Sequence, residues 1–150
     1  MRILVTGANG QLGNEMQVLA KENPQHTYYF TDVQELDICN KDAVWAYIAE
    51  KRIELIVNCA AYTAVDKAED DSELAYKLNS EAPKTLACAA QFNGAAMIQV
   101  STDYVFDGTA HIPYTEECDP CPNSVYGTTT LEGEYEVPVS YTHLRDHETL

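Results

Sequence analysis

The sequence predicts an α/β fold in which a doubly wound parallel sheet has helices packed on both faces. Two observations support this prediction. Short apolar runs alternate along the chain with stretches of helical spacing, which is the pattern of strand–helix–strand units. The first apolar run also leads directly into a glycine-rich turn and then into a helical stretch. With 150 residues, the chain has the size of one domain and can bury a hydrophobic core.

The apolar runs are predicted to be the strands, because short runs bounded by turn residues suit buried parallel strands. They cover residues 2–8, 27–32, 54–61 and 95–102. Apolar residues at helical spacing predict the helices between them. These helices cover 11–22, 41–52 and 72–92, with Pro83 as a break or kink in the third, and a further helix is predicted to begin near Tyr126.

The composition narrows the classes of partner. There are 24 acidic and 9 basic residues, for a net charge of −15, which repels nucleic acid and anionic membrane surfaces. No signal peptide or apolar run long enough to span a membrane is visible, so a cytoplasmic location is expected. The five cysteines are odd in number and include one CxxC, Cys118 and Cys121, with no second pair. We therefore predict neither a disulfide framework nor a metal site.

The glycine-rich turn predicts a dinucleotide site of the Rossmann type. Gly7, Gly10 and Gly13 follow a strand and open a helix, the context in which a pyrophosphate binds at a helix N-terminus. Asp32 ends the second strand about 20 residues later, where a carboxylate accepts hydrogen bonds from the adenosine ribose. A carboxylate there favours NADH over NADPH. The alternatives are an ordinary strand-to-helix turn and a solvated turn aspartate.

Four stretches resemble the dTDP-4-dehydrorhamnose reductase family of extended short-chain dehydrogenases/reductases, and the matched regions span nearly all of residues 1–134. They are "MRILVTGANGQLGNEM", "NCAAYTAVDKAE" (58–69), "STDYVFDG" (101–108) and "PNSVYGTTTLEGE" (122–134). The resemblance implies an NADPH- or NADH-dependent reduction of a 4-keto nucleotide sugar. The product is dTDP-L-rhamnose, made from dTDP-4-dehydro-L-rhamnose for cell-wall polysaccharide.

The same resemblance assigns site residues. Those implied to bind the cofactor are Gly7, Gly10, Gln11, Leu12, Gly13, Asp32, Asp37, Ile38, Ala60, Ala61 and Tyr62. Thr102, with Asp103 beside it, would hydrogen-bond the substrate carbonyl, and Tyr126 would donate the proton. Without the family, Thr102 would be interpreted as a helix cap and Tyr126 as a packing residue. Glu15 occupies the place of a family glutamate linked to Mg²⁺ at a dimer interface, so the full-length family allows Mg²⁺ and a homodimer.

One position departs from the family pattern. The family has a lysine four residues after its tyrosine, and Thr130 stands there instead. A tyrosine hydroxyl has an unperturbed pKa of about 10, and a lysine on the same helix face lowers it. A neutral threonine cannot do so, and the expected loss of rate is roughly a hundred- to ten-thousandfold.

The C-terminal end departs from the family more strongly. The resemblance ends after Glu134, and "VSYTHLRDHETL" resembles translated sequencing-adapter sequence. We therefore predict an incomplete nucleotide-binding domain over 1–134 and a non-native or disordered tail over 135–150. The family sheet has the order 3-2-1-4-5 before further strands, so this chain is expected to be truncated after the fifth strand. Its last strand would then present an unpaired edge.

Two alternative functions remain open from the sequence. The regulatory beta subunit of methionine adenosyltransferase resembles the same family and has no need of the lysine, so a non-catalytic nucleotide-binding role is the main alternative. A 4-epimerase or 4,6-dehydratase acting on nucleotide sugars would share the glycine turn and the tyrosine. The stretch "NCAAYTAVDKAE" favours the reductase over both of these enzymes.

Overall fold

A computed structural model describes residues 1–140 as a parallel sheet with helices on both faces. The strand order is β2-β1-β3-β4, and all three pairings are parallel. Each strand lies inside one of the predicted apolar runs. The strands in the runs 54–61 and 95–102 are much shorter than those runs. The strands are β1 (Arg2–Thr6), β2 (Thr27–Thr31), β3 (Leu55–Asn58) and β4 (Ala96–Gln99).

The helices connect the strands in the predicted alternation. They are α1 (Gln11–Glu22), α2 (Lys41–Lys51), α3 (Val65–Asp70), α4 (Ser72–Tyr76), α5 (Ala82–Asn93) and α6 (Val125–Ser140). The third helical stretch is not broken at Pro83, which was predicted as a break or kink: Pro83 lies in the first turn of α5, and one π-helical turn over Lys77–Glu81 joins α4 to α5 without a gap. Proline is tolerated in a first turn, where its missing N–H leaves no bond unmade. The short α3 was not predicted.

Two hydrophobic clusters confirm that the sheet is covered on both faces. Ile3, Val5 and Val57 point to one face, where Met16 of α1 packs against them. Leu4 and Ile56 point to the other face. That face carries the larger cluster, with buried residues from α2 and α5, namely Val44, Ile48, Leu86, Ala87, Ala89 and Ala90. The alternation follows from the two-residue period of a strand.

The sheet has four strands within residues 1–140, one fewer than the five expected, and β2 is an edge strand. The missing strand is the one that would lie outside β2. The connecting chain after β2 forms turns, because the amides of Glu35 and Leu36 donate to the Asp32 carbonyl and that of Asn40 to the Asp37 carbonyl. Backbone groups bonded within turns cannot pair with a neighbouring strand.

Helix α6 crosses the boundary that the sequence suggested at residue 134. It begins at Val125, one residue before Tyr126, and continues to Ser140. The first six residues of the predicted tail, 135–140, are thus part of a helix that starts inside the domain. The rest of that tail, residues 141–150, lies outside the described residues. None of the helices in residues 1–140 is long and apolar enough to cross a bilayer.

Candidate functional site

A cleft of about 770 Å³ lies at the carboxyl ends of the parallel strands. This is the edge at which ligands bind in open α/β sheets. Its lining comes from the glycine turn, the chain after β2, the ends of β3 and β4, the π-helical turn and α6. The residues are Gly7, Gly10, Gln11, Leu12, Glu15, Asp32, Val33, Leu36, Asp37, Ile38, Asn58, Cys59, Ala60, Ala61, Thr63, Leu78, Asn79, Gln99, Val100, Ser101, Tyr126 and Thr130.

The glycine turn gives the cleft its anion-binding end. Gly7 has a φ of 63°, and a Cβ there would lie 2.7 Å from the backbone of Ala60, so this position requires glycine. The amide of Gly10 donates to the Gly7 carbonyl at 3.0 Å, which closes the turn. Gly10 then caps α1 without a side chain. The first amides of α1 lack intrahelical acceptors and point out of the helix end, where they can bind phosphate oxygens.

Gly13 belongs to the turn but does not line the cleft. Its missing side chain allows α1 to approach the Gly7 carbonyl and Ala8, since a Cβ at this position would overlap both. This is the close helix–strand contact that the third glycine of the motif provides. The contact fixes the direction in which the start of α1 faces the cleft.

Asp32 is held in a fixed orientation beside the glycine turn, at the same end of the cleft. Its Oδ2 accepts from the amide of Asn9 at 3.0 Å, and its Oδ1 accepts from the amide of Val33 at 2.8 Å. The first bond ties the end of β2 to the glycine turn. Asp37 and Ile38 also line this end, and Asp37 accepts from the amide of Cys39 at 2.9 Å.

A chain of polar side chains crosses the strands beneath the cleft. The Thr6 hydroxyl donates to Asn58 Oδ1 at 2.5 Å, and Asn58 Nδ2 donates to Gln99 Oε1 at 2.8 Å. Asn58 and Gln99 line the cleft but were not predicted as site residues. Their position as polar residues at the ends of apolar strands was the signal that could have identified them. Beside them, burial raises the pKa of the Cys59 thiol.

Asn79 links two walls of the cleft. It is 3% exposed, its Oδ1 accepts from the Tyr62 amide at 2.7 Å, and its Nδ2 donates to the Tyr62 carbonyl at 3.1 Å. The same Nδ2 lies 3.2 Å from the Thr129 hydroxyl of α6. Of the three residues predicted to border the cofactor, Ala60 and Ala61 line the cleft, whereas Tyr62 does not line it and its backbone is bonded to Asn79. A single asparagine inside a helical pattern gave no signal of this link.

The predicted catalytic residues are only partly brought to the cleft. Tyr126, at the start of α6, lines it, and its ring lies 5.5 Å from that of Tyr104 in an edge-on contact. Thr102 and Asp103 lie outside the lining. The Thr102 hydroxyl accepts from the Tyr104 amide at 3.3 Å, which confirms its interpretation as a helix cap, here of a short 3₁₀ turn. Ser101 lines the cleft instead and donates to the Glu134 carboxylate.

The charged side chains that line the cleft are all acidic. Glu15, Asp32 and Asp37 line it, and the lining residues within 1–140 include no lysine, arginine or histidine. Thr130 lines the cleft near Tyr126, is 7% exposed and donates its hydroxyl to the Tyr126 carbonyl at 2.8 Å. No group of three or more metal-ligating side chains is present within the described residues.

Comparisons with known proteins place this geometry in a family. A family model described as the RmlD substrate binding domain matches residues 1–144, ten residues beyond Glu134. A dTDP-4-dehydrorhamnose reductase from Aggregatibacter actinomycetemcomitans is 43% identical over 133 residues, covering 89% of this chain and 45% of the relative. A probable 4-ketoreductase of a dTDP sugar from Streptomyces antibioticus is 44% identical, covering 91% and 46%. The chain thus spans about half the length of the curated relatives it matches.

Solved structures give the same result. The dTDP-4-dehydrorhamnose reductase structure from Clostridium acetobutylicum matches with a TM-score of 0.90 and 52% identity, over 93% of this chain and 49% of that one. The Bacillus anthracis enzyme, in complex with NADP, matches with a TM-score of 0.88 and 40% identity, over 92% and 49%. A UDP-glucose 4-epimerase from Thermus thermophilus, at 20% identity and a TM-score of 0.86, shares the fold.

Proposed function

Because this chain belongs to the RmlD substrate-binding domain family, we propose that it is the nucleotide-binding part of an NAD(P)H-dependent reductase of 4-keto nucleotide sugars. The reaction is the reduction of dTDP-4-dehydro-L-rhamnose to dTDP-L-rhamnose. One observation carries the proposal: a single cleft joins the glycine turn at one end to Tyr126 at the other. A dinucleotide and a carbonyl substrate need both features in one continuous site.

The proposed roles follow the cleft from end to end. The amides that begin α1 at Gln11 and Leu12 bind the pyrophosphate, and Asp32 accepts hydrogen bonds from the adenosine ribose. Asp37 and Ile38 flank the adenosine, while Ala60 and Ala61 border the nicotinamide half. The nicotinamide, when bound, supplies the hydride for the carbonyl carbon.

Tyr126 donates the proton that converts the reduced carbonyl to a hydroxyl, because it is the titratable hydroxyl that α6 brings to the cleft. Thr102 and Asp103 are proposed to contact the substrate beside it. The cap bond from the Tyr104 amide leaves the Thr102 hydroxyl free to donate to a substrate oxygen in place of its 3.3 Å contact with Asp103. A cytoplasmic location, a homodimer and Mg²⁺ binding in the full-length protein stay predictions.

The proposal is tested by measuring turnover in a joined protein that also contains the half of a relative that this chain does not cover. We would join residues 1–140 to the remaining half of the Clostridium acetobutylicum reductase and follow NADH and NADPH oxidation with dTDP-4-dehydro-L-rhamnose. The proposal expects slow oxidation, one cofactor consumed per sugar reduced, and its loss in Tyr126→Phe. Product formation without net cofactor oxidation would instead indicate an epimerase.

Thr130 favours a second candidate, a nucleotide-binding subunit without catalysis. A threonine in place of the lysine removes the charge that activates the tyrosine while leaving the cleft in place. This candidate expects the joined protein to bind NADH without turnover even when Thr130 is replaced by lysine. Turnover restored by that replacement would exclude it.

A further inference from the structure

One sequence motif has no part in the proposed function. Cys118 and Cys121 form a CxxC pair with Pro120 between them, in the loop that joins the 3₁₀ turn to α6. Cys121 is exposed and Cys118 is half-buried, so a small reagent can reach both thiols from solvent. One pair is too few for a disulfide framework, but two thiols at this spacing can form a single bridge with each other.

The sulfur of Cys118 lies in a turn that supplies hydrogen-bond donors. The Cys118 amide donates to the Thr115 carbonyl at 3.1 Å, which closes the turn. The Thr115 amide donates to Cys118 Sγ at 3.4 Å, and the Thr115 hydroxyl lies 3.5 Å from the same sulfur. The amide first and the hydroxyl second lower the pKa of the Cys118 thiol, although the Asp119 and Glu116 carboxylates act in the opposite direction. Because the thiolate is the reactive form of cysteine, this turn favours Cys118 as the attacking thiol.

Two of the other three cysteines lie in surroundings that disfavour the thiolate. Burial raises the pKa of the Cys59 thiol, and burial followed by the Asp37 carboxylate raises that of Cys39. Thiols of this kind react slowly with disulfides, because only the thiolate attacks. The third, Cys88, is half-buried within α5. We therefore expect the CxxC pair to react before the cysteines that pack within the domain.

The backbone at Cys121 is bonded to the body of the domain. Its amide donates to the Val105 carbonyl at 2.9 Å. The next residue, Pro122, lies against the start of α6, since a Cβ at Gly127 would lie 3.1 Å from the Pro122 Cβ. Pro120 restricts the residue before it to extended backbone, which tends to hold the two cysteines apart. A bridge closed across this segment is therefore expected to be easily reduced, as exposed and strained disulfides are.

We propose that Cys118 and Cys121 form a thiol–disulfide exchange site that reacts with a low-molecular-weight disulfide such as oxidised glutathione. The Cys118 thiolate attacks one sulfur of that disulfide, which forms a mixed disulfide and releases one thiolate. The Cys121 thiolate then attacks Cys118 Sγ, which closes the bridge and releases the second thiolate. The two released thiolates take up the protons that the cysteines lost, so the protein sulfurs are oxidised and the small disulfide is reduced. This site does not depend on the proposed cofactor site.

The experiment follows the reaction of the purified, reduced chain with dithiodipyridine, a neutral disulfide that the net charge of −15 does not repel. We expect a fast phase that releases about two thiopyridones per chain and leaves a product lighter by about 2 Da, without an adduct. Cys121→Ser should release about one thiopyridone in that phase and retain an adduct on Cys118. Cys118→Ser should slow the phase by about threefold or more. Cys88→Ser, which removes a half-buried thiol of α5, is the matched control and should leave the phase unchanged.

Three results would overturn the proposal. Adducts retained on both Cys118 and Cys121 would show that the two thiols do not act as a pair. A fast phase that Cys118→Ser leaves unchanged would remove its role as the attacking thiol. A bridge that about 5 mM reduced glutathione does not open would be a stable structural disulfide and not an exchange site. The same reaction in urea is the reference, where we expect all five cysteines to react in one phase because the fold no longer separates them.

Discussion

The side chain four positions after Tyr126 decides how that tyrosine can act. Thr130 is buried against the cleft, and its hydroxyl donates to the Tyr126 carbonyl one helical turn back. This bond satisfies the hydroxyl locally but supplies no charge. Tyr126 therefore lies at the cleft with no positive side chain among the lining residues of the described part of the chain, 1–140. In the proposed reductase, the electrostatic feature that would activate Tyr126 is therefore not found among the described lining residues.

Replacing Thr130 with lysine in the joined protein described above should raise kcat by roughly a hundred- to ten-thousandfold. A lysine from this position can extend along the cleft beside the tyrosine, where its charge stabilises the ionised phenol. Initial rates of NADH oxidation across pH measure the effect. Thr128→Lys is the matched control, because Thr128 is exposed on the same helix. An equal gain in both variants, or none in Thr130→Lys, would contradict the role given to position 130.

Sequence reasoning worked best for residues whose role depends on the backbone. The glycine turn and Asp32 could be predicted as parts of one site from a local pattern of φ, close approach and strand ends, and the structure brings Gly7, Gly10 and Asp32 to one cleft. Asn79 was missed, since its role depends on partners distant in the sequence, at Tyr62 and Thr129. A side chain's long-range partner leaves no periodic signal in the sequence.

At the scale of elements, helix α6 is positioned by two glycines that allow close backbone contact. A Cβ at Gly127 would overlap the Tyr104 carbonyl, and one at Gly133 would overlap the Asn79 carbonyl. The first contact sets the helix against the 3₁₀ turn that Thr102 caps, and the second sets it against the π-helical turn. These contacts determine where Tyr126 lies at the cleft.

Gly133→Ala should destabilise the chain by about 1–2 kcal/mol. The overlap with a backbone carbonyl costs about 2–3 kcal/mol, and the better helix propensity of alanine offsets about 1 kcal/mol of this. Urea unfolding followed by circular dichroism measures the difference. Thr128→Ala, at an exposed position of α6, is the control and should lie within about 0.5 kcal/mol of the unchanged chain. A stabilised Gly133→Ala variant would show that α6 does not need this contact.

The number of strands in the sheet could not be decided from local sequence patterns. The four apolar runs were predicted as strands, and each contains one. The expected fifth strand came from the family order, but the chain between β2 and α2 bonds its amides within its own turns. Side chains of Asp32, Asp37 and Asn40 each accept backbone amides there. Such local bonds compete with a sheet ladder, and periodicity does not reveal which prevails.

At the scale of the whole molecule, the edge strand β4 is the feature from which we expect association between chains. β4 lies at the edge of the sheet within the described residues. Ile98, in register with the buried Val57, is 52% exposed. Phe92, at the end of α5 next to this strand, is 79% exposed. An unpaired edge with exposed apolar side chains favours association between chains.

Ile98→Lys should reduce association of the isolated chain without lowering its thermal midpoint, because a lysine on an edge strand blocks edge-to-edge pairing. Light scattering after size-exclusion chromatography, over a range of concentrations, measures the effect. Ile112→Lys is the control, since Ile112 is equally apolar and 76% exposed but lies in a loop. A chain that stays monomeric without any substitution, with cooperative unfolding, would contradict the importance of this edge.

The measurement that tests the central claim most directly is amide hydrogen exchange of the chain with and without saturating NADH. The account predicts slowed exchange in three segments that meet at the cleft: residues 10–13, 32–38 and 60–63. The amides that begin α1 should be protected most, because they would bind the pyrophosphate. Protection confined to surfaces away from the strand ends, or no change at saturation, would contradict the assignment of the cleft as a dinucleotide site.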